Sequence, residues 1–251
     1  MSSIATDTSI VFTRELRPLV RDPFSVIFTM VQPLVFLALF GPLLSQVTDL
    51  GTGSSLQWFV PGIVVMSALF GASTTGSNLQ LEMQTGSHER MLVTPLHRSA
   101  LLVGRALKEI VPVFAQAVII VAVVVPFGFR PEPAGLIGLA ILAVFAVGLG
   151  ALSHSLAIAS QGNDWVFWGV QQTLLFPLLL LSGMLLPIDG GPGWMQGLSK
   201  VNPLTHVVDA ERALFAGELT EASVLYGAVS AVAVLVLGLT VGIRAIRRGS
   251  A

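Results

Sequence analysis

Residues 135–158 read GLIGLAILAVFAVGLGALSHSLAI, an apolar run without Asp, Glu, Lys or Arg. A helix of about 20 apolar residues crosses the roughly 30 Å of hydrocarbon in a bilayer, so this run is long enough to span a membrane. It lacks the alternation of polar and apolar residues that a membrane β-strand requires. Because backbone groups in lipid must bond within their own segment, the run predicts a transmembrane helix.

Five further runs share this character and likewise contain no charged residue. They are residues 24–44, 58–79, 110–127, 165–186 and 223–243. We therefore predict an all-α polytopic membrane protein, with six transmembrane helices in one transmembrane domain that covers residues 1–251.

The composition supports this class and excludes others. Of the 251 residues, 53% are hydrophobic and only 11% are charged, against about 25% charged in a soluble domain. The absence of Cys excludes a disulfide framework and thiolate metal sites. A net charge of −1 provides no general basic field, so we expect no nucleic-acid partner.

The distribution of Lys and Arg predicts the orientation, because positive charge accumulates on the cytoplasmic side of a membrane protein. Ten of the 13 basic residues fall on the side that carries both termini. We therefore expect both termini in the cytoplasm, a tail at residues 244–251, and a first span that serves as an uncleaved anchor. Frequent Ala, Val, Leu and Gly with little Lys suggest a bacterial source, and hence the plasma membrane.

Residues 1–23 predict an amphipathic helix that lies on the inner leaflet before the first span. Its basic face holds Arg14, Arg17 and Arg21, and the turn at Asp22-Pro23 ends it. A simple positively charged anchor with no further role is an alternative compatible with the same pattern.

The cytoplasmic loop at residues 80–109 contains a predicted short helix. Ser87 is suited to cap this helix, and Pro95 ends it. A solvated loop without a function is the alternative for such a charged stretch.

The external segment at residues 187–222 is too polar to span but rich in large apolar residues such as Trp194. We expect two short helices that enter the outer leaflet and return, separated by a turn at Asn202-Pro203. Within the second helix, Asp209 and Arg212 stand three residues apart and are predicted to pair.

Polar, small and aromatic residues within two spans are candidates for a substrate path or a dimer interface. They are Ser67, Phe70, Gly71, Thr74 and Asn78 in the second span and Trp168, Gln171, Gln172 and Phe176 in the fifth. Close helix packing and interhelical hydrogen bonds explain the same residues equally well. His154, the only histidine within a span, is expected to be structural.

Two stretches resemble the permease subunits of type-2 ABC exporters. They are ERMLVTPLHRSALLVGRAL (residues 89–107) and SGMLLPIDGGPGWMQGLSKVNPLTHVVDAERAL (residues 182–214). The N-terminal stretch RELRPLVRDPFSVIFTMVQPLVFLALFGPLL (residues 14–44) resembles the daunorubicin/doxorubicin-resistance permeases of actinobacteria. Together these stretches and the six spans extend the resemblance over nearly the whole chain.

The resemblance implies a homodimer of permeases, each copy joined to a separate ATP-binding cassette subunit that binds ATP and Mg²⁺, with no cofactor in this chain. The predicted loop helix would be the coupling helix that contacts this subunit. Its residues are Gly86, Ser87, His88, Glu89, Arg90, Leu92, Val93, Thr94, Pro95 and Leu96. Glu89, Leu92, Thr94 and Pro95 match the family best, whereas Gln84 stands where family members often carry a charge. The N-terminal helix would touch the same subunit, and the hairpin with Trp194, Asn202, Pro203, Asp209 and Arg212 would cap the outside.

The expected function is export of a hydrophobic drug, antibiotic or lipid-like compound, without enzymatic activity in this chain. The chain lacks a G-x-x-x-x-G-K-[ST] phosphate loop, so a partner must supply the energy. An exporter of a cell-envelope lipid or lipid-linked glycan is the alternative within the same architecture. From other classes, an intramembrane serine hydrolase using Ser73 and His154, or a passive channel, remains a weaker hypothesis.

Overall fold

The computed structural model describes residues 4–21, 23–44, 55–92, 97–160 and 163–248. Within these residues all regular structure is helical, and a short 3-10 turn at Val125–Phe127 follows the sixth helix. Helices α1 to α11 are, in order, Ile4–Arg21, Pro23–Leu44, Ser55–Gln84, Ser87–Leu92, Arg98–Leu107, Ile110–Val124, Gly135–Ala159, Asp164–Leu180, Gly193–Val201, Pro203–Phe215 and Ala222–Arg248.

Four stretches of described helix are long and apolar enough to cross a membrane. They are Ser55–Gln84, Ser99–Phe127, Gly135–Ala159 and Ala222–Ile246. The second of these joins α5, α6 and the 3-10 turn. An apolar stretch at Ile27–Leu43 within α2 is shorter. The all-helical, multi-span class predicted from the sequence is therefore confirmed.

Glycines allow the central helices to pack at backbone distance. A Cβ added at Gly148 of α7 would lie 2.6 Å from the backbone of Leu235 in α11, which is closer than real Cβ atoms approach. A Cβ at Gly76 of α3 would lie 2.6 Å from Ser153 Oγ of α7. The Gly76 backbone N–H also donates a 3.0 Å hydrogen bond to this hydroxyl. Helices α3, α7 and α11 thus form the packed centre of the chain.

The fifth predicted span is shorter in the structure than in the sequence pattern. Helix α8 ends at Leu180, where the Leu181 N–H turns back to bond the carbonyl of Pro177. Gly183 then adopts a positive φ of 73°, which glycine tolerates and which turns the chain away from the helix axis. Residues 181–186 are therefore a turn that follows the span.

The two ends of the bundle carry different accessory helices. Helices α4 and α5 pack with α1 at one end, which we call the elbow end. Helices α9 and α10 follow the turn after α8 at the other, the cap end, where α10 packs on α3, α7 and α11. Helices α9 and α10 occur where the sequence predicted two short helices, and α4 occurs where it predicted one, whereas α5 was not predicted.

Candidate functional site: the elbow end, its cavity and the cap

A sharp turn connects α3 to α4 at the elbow end. The Thr85 and Gly86 N–H groups bond carbonyls in the last turn of α3, and Gly86 takes a positive φ of 66° that favours glycine. The Arg90 side chain folds back over this turn, with Nε donating to the Gly86 carbonyl at 3.3 Å. The turn therefore fixes the direction in which α4 leaves α3.

A small hydrophobic cluster anchors α4 to its neighbours. Met91 of α4 is buried with Val11 of α1 and Leu101 of α5. A Cβ added at Gly104 of α5 would lie 2.8 Å from the Val11 Cβ, so α1 and α5 cross at close range. The three helices consequently pack as one unit, although they come from separate parts of the sequence.

A network of ion pairs joins this unit to the end of α3. Arg105 of α5 pairs with Glu82 of α3 and with Glu15 of α1, the latter at 3.4 Å. Lys108 also pairs with Glu15 at 3.6 Å, and Arg14 lies 3.7 Å from Glu82. Because Arg105 is almost fully buried, its two carboxylate partners are needed to offset the cost of removing its charge from water.

A second polar contact attaches the start of α1 to the start of α5. Asp7 is fully buried, and its Oδ2 accepts hydrogen bonds from the His97 backbone N–H at 3.0 Å and from His97 Nδ1 at 2.7 Å. His97 is the N-cap residue of α5, so Asp7 satisfies a donor that would otherwise be free at the helix terminus. The protein-facing side of α1 therefore includes Asp7 and Val11.

The residues predicted to contact an ATP-binding subunit are only partly described by the structure. Ser87, His88, Glu89, Arg90 and Leu92 belong to α4, and Gly86 precedes it. Val93, Thr94, Pro95 and Leu96 lie outside the described residues. Among the elbow arginines, Arg14 joins the ion-pair network, whereas Arg17 and Arg21 are exposed. These contacts with a partner remain predictions.

A cavity of about 400 Å³ lies between this elbow unit and the spans. Its lining includes Glu15, Glu82 and Lys108 of the ion-pair network. It also includes Glu109, which directly precedes the third predicted span, and Gln116 within that span. The remaining lining residues are Pro18, Leu19, Thr29, Gly71, Thr74, Thr75, Asn78, Leu81 and Pro112.

The candidate path residues separate into two groups in the structure. Gly71, Thr74 and Asn78 of α3, which share one helical face, line the cavity. Ser67 is buried and donates to the Val64 carbonyl of its own helix, next to the partly buried Phe70.

On α8, Gln171 is buried whereas Trp168, Gln172 and Phe176 are exposed on the surface of the chain. None of these four residues lines the cavity, whose other walls come from α1, α2 and α6. The role of the α8 residues stays a prediction.

At the cap end, the NPLT sequence ties α10 to the end of α8. Asn202 caps α10 by accepting from the Leu204 N–H at 3.0 Å, and its Nδ2 donates to the Leu178 carbonyl at 2.8 Å. Pro203 occupies the first turn of α10, where a missing N–H costs nothing. Thr205 donates to the Leu181 carbonyl at 3.2 Å. The motif therefore satisfies carbonyl groups that the end of α8 leaves open.

Arg212 ties the same helix to α3 and to the turn after α8. Its guanidinium donates to the Trp58 carbonyl at 3.1 Å and the Gly183 carbonyl at 2.8 Å, and it lies 3.8 Å from the Trp58 ring centroid. Asp209 pairs with it at 3.6 Å, which confirms the predicted i,i+3 pair. Burial lowers the pKa of Arg212 to about 10. Trp194 is exposed on α9 and does not join this arrangement.

Glu211, the neighbour of Arg212, points into the protein. It is fully buried against Gly138 of α7, and neither carboxyl oxygen has a hydrogen-bond partner among the described residues. Burial raises the pKa of this carboxyl well above its usual value. The sequence alone does not single out Glu211, because the burial of this residue depends on Gly138, which is distant in the chain.

No group of three or more His, Cys, Asp or Glu side chains within the described ranges is arranged to hold a metal ion. The side chains proposed for a hydrolase bond within their own helices. Ser73 Oγ donates to a carbonyl of the preceding turn, and His154 Nδ1 bonds the Gly150 carbonyl at 2.7 Å. These contacts favour structural roles for both residues.

Comparison with known proteins matches this arrangement to a transporter family. The sequence model of the family described as ABC-2 type transporter matches residues 6–216. The chain is 27% identical over 198 residues to the daunorubicin resistance ABC transporter permease protein DrrB1 of Streptomyces coeruleorubidus. This alignment covers 78% of this chain and 70% of DrrB1. It is also 31% identical over 222 residues to ycf38 of Cyanophora paradoxa, which is named as a transport permease. That alignment covers 83% of this chain and 76% of ycf38.

A third relative is YbhR of Escherichia coli strain K12, which is named as a multidrug ABC transporter permease. It is 28% identical over 163 residues, which cover 63% of this chain and 44% of that protein. Because the family match extends over most of the chain and several helices are long enough to cross a membrane, the protein belongs to the ABC-2 type transporter family as a multi-pass permease.

Proposed function

We propose that the chain is the permease subunit of an ATP-driven exporter of hydrophobic or amphipathic drugs, antibiotics or lipid-like compounds. A separate ATP-binding cassette subunit would bind ATP and Mg²⁺ and provide the energy. The names of the relatives in Streptomyces coeruleorubidus and Escherichia coli support drug-type substrates. Export of a cell-envelope lipid or lipid-linked glycan is the alternative cargo.

The observation that carries this proposal is the continuous connection from α4 to the cavity. Met91 anchors α4 on α1 and α5, and the Arg105 ion pairs join this unit to α3 at Glu82. Both Glu82 and Glu15 also line the cavity. A force applied to α4 by an ATP-binding subunit would therefore reach the cavity wall through buried contacts and ion pairs.

The membrane topology completes the proposal. All six apolar runs would span the plasma membrane, with α2 and α8 as the two shorter spans and both termini in the cytoplasm. The elbow end would face the cytoplasm, with α1 on the inner leaflet, and α9 and α10 would form the external cap. Two copies of the chain would pair, with the exposed aromatic residues of α8 facing the partner copy or the lipid.

The test is co-purification of the chain with its ATP-binding subunit, followed by ATPase and efflux assays in vesicles. Glu89→Arg, or a double substitution of Thr94 and Pro95 by Ala, should reduce ATP-dependent efflux by about tenfold or more, because a central contact of an interface is lost. The permease should remain folded and monodisperse.

The matched control is Glu132→Arg, the same charge reversal at an exposed position beyond the 3-10 turn at the cap end. This variant should transport as the wild type does. Wild-type coupling in the α4 variants would overturn the assignment of α4 as the coupling helix.

A further inference from the structure

The charged side chains that line the cavity at the elbow end differ in whether they are paired. Glu15 and Glu82 pair with Arg105, and Lys108 pairs with Glu15. Glu109 shares the lining with the polar side chains of Thr74 and Gln116, and it takes part in none of the ion pairs between described residues. Glu109 and its polar neighbours therefore suit a ligand that donates hydrogen bonds.

Glu109 supplies a carboxylate without a dedicated cation. It is 4% exposed, and none of the ion pairs between described residues includes it. The direct ion pair of the adjacent Lys108 is with Glu15, at 3.6 Å, and not with Glu109. A buried carboxylate of this kind gains most from a ligand that brings a positive charge.

Gln116 supplies an unused acceptor about two helical turns further along. Its Nε2 donates to Thr29 Oγ1 at 3.2 Å, whereas its buried Oε1 has no hydrogen-bond partner among the described residues. The Thr74 hydroxyl donates its proton to the Gly71 carbonyl at 2.9 Å, so it too offers lone pairs to the cavity. Because these hydrogen-bond acceptors outnumber the donors available to them, they favour a ligand with several N–H donors.

We propose that this cavity binds the protonated amine of an amphipathic compound, a site that rests on the export function proposed above. Glu109 would be the counter-ion, and Gln116 Oε1 would accept an ammonium N–H. The apolar body of the ligand would pack on Leu19, Leu81 and Pro112, which line the same cavity. A carboxylate or phosphate would instead meet Glu109 with no unpaired basic side chain to receive it.

The test is equilibrium binding to the full-length permease in nanodiscs of phosphatidylcholine, without any ATP-binding subunit. The probes are dansylcadaverine, which carries a primary ammonium group, and its neutral N-acetyl derivative. Both contain the same environment-sensitive fluorophore, and signals from empty nanodiscs are subtracted. The wild type should bind the ammonium probe about tenfold or more tightly than the acetylated probe, as a charge-assisted hydrogen bond implies.

Glu109→Gln should abolish this preference by weakening the binding of the ammonium probe. The matched control is Glu211→Gln, the same change at the fully buried glutamate of the cap end, which should keep the preference. Asn78→Asp adds a carboxylate at an exposed position in the cavity wall and should increase the preference. This third variant tests the site even if Glu109→Gln does not fold.

Equal wild-type affinities for the two probes, or a preference that neither cavity variant changes, would overturn the inference. Because the assay contains neither ATP nor the ATP-binding subunit, its result is independent of the coupling test. ATP-dependent efflux together with equal probe affinities would leave the proposed function intact and remove the amine site alone.

Discussion

The side chain of Asn202 lies 2.8 Å from the carbonyl oxygen of Leu178, to which its Nδ2 donates a hydrogen bond. The same carboxamide accepts from the Leu204 N–H, so one buried side chain both caps α10 and bonds the last turns of α8. In a region that would lie next to lipid, such a bond replaces one that water cannot supply.

Asn202→Ala should therefore lower the stability of the purified protein. Loss of the cap costs about 1 kcal/mol, and the unsatisfied Leu178 carbonyl adds about 1–3 kcal/mol. The measurement is the midpoint of thermal unfolding in detergent. Asn163→Ala is the matched control, because Asn163 precedes α8 but its side chain makes no capping bond. Equal losses in the two variants would contradict this role of Asn202.

Arg212→Lys should destabilise the cap end although it keeps the charge. Lys cannot reach two separate carbonyls with a planar fork while it stacks on Trp58, so at least one charge-assisted bond of about 1.5–3 kcal/mol is lost. Tryptophan fluorescence and the thermal midpoint would both change. Arg130→Lys, at an exposed position, should leave both unchanged. A wild-type midpoint in Arg212→Lys would show that the bonds to Trp58 and Gly183 are dispensable.

Gly76→Ala should disrupt the contact between α3 and α7. The added Cβ would lie 2.6 Å from Ser153 Oγ and would also approach the Phe167 ring, so the helices must separate at a cost of about 1–3 kcal/mol. Gly169→Ala is the matched control in α8, because a Cβ there meets nothing within 4 Å. Thermal unfolding of both variants measures the difference, and similar midpoints would argue against close packing at Gly76.

Glu211→Gln should stabilise the protein, and the gain should grow with pH. Burial raises the folded-state pKa of Glu211 above its ordinary value of 4.5, so the folded protein retains a proton that the unfolded chain releases. Between these two pKa values the free energy of unfolding falls as pH rises, by up to about 1.4 kcal/mol per pH unit. Glutamine does not titrate, so the variant does not lose stability in this way as pH rises.

Thermal midpoints of wild type and Glu211→Gln, measured from about pH 5 to about pH 8, would therefore diverge as pH increases. Glu132→Gln at an exposed position serves as the control and should follow the wild type. Parallel curves for Glu211→Gln and wild type would mean that the carboxyl is ionised in the folded protein.

Much of the architecture could be predicted because the long apolar run of a membrane-spanning helix is visible in the local sequence. The run at residues 135–158 lies within α7, and the Asn202-Pro203 turn separates α9 from α10 as expected. These features depend on hydrophobic length and on the chemistry of one or two residues. The same local patterns extended the fifth span to residue 186, whereas α8 ends at Leu180. The carbonyls at this end bond the side chains of Asn202 and Thr205, which are distant in the sequence.

The cavity could be predicted only in part, because its walls come from distant parts of the sequence. The shared face of Gly71, Thr74 and Asn78 was visible as a helical spacing. Glu82 and Glu109, by contrast, looked like ordinary flanking charges of a cytoplasmic loop. Only the fold brings them beside Glu15 of α1 and buries Glu109.

The glycine contact between α7 and α11 has a consequence for how movement would be detected. Because the two backbones meet at Gly148 without intervening side chains, a rotation that brought a neighbouring side chain into this contact would push the helices apart. The pair therefore supplies a fixed reference frame for distance measurements by paired spin labels. Helix α8, which packs only lightly on α3 and α7, is where labels referenced to that frame would record the largest displacement during a transport cycle.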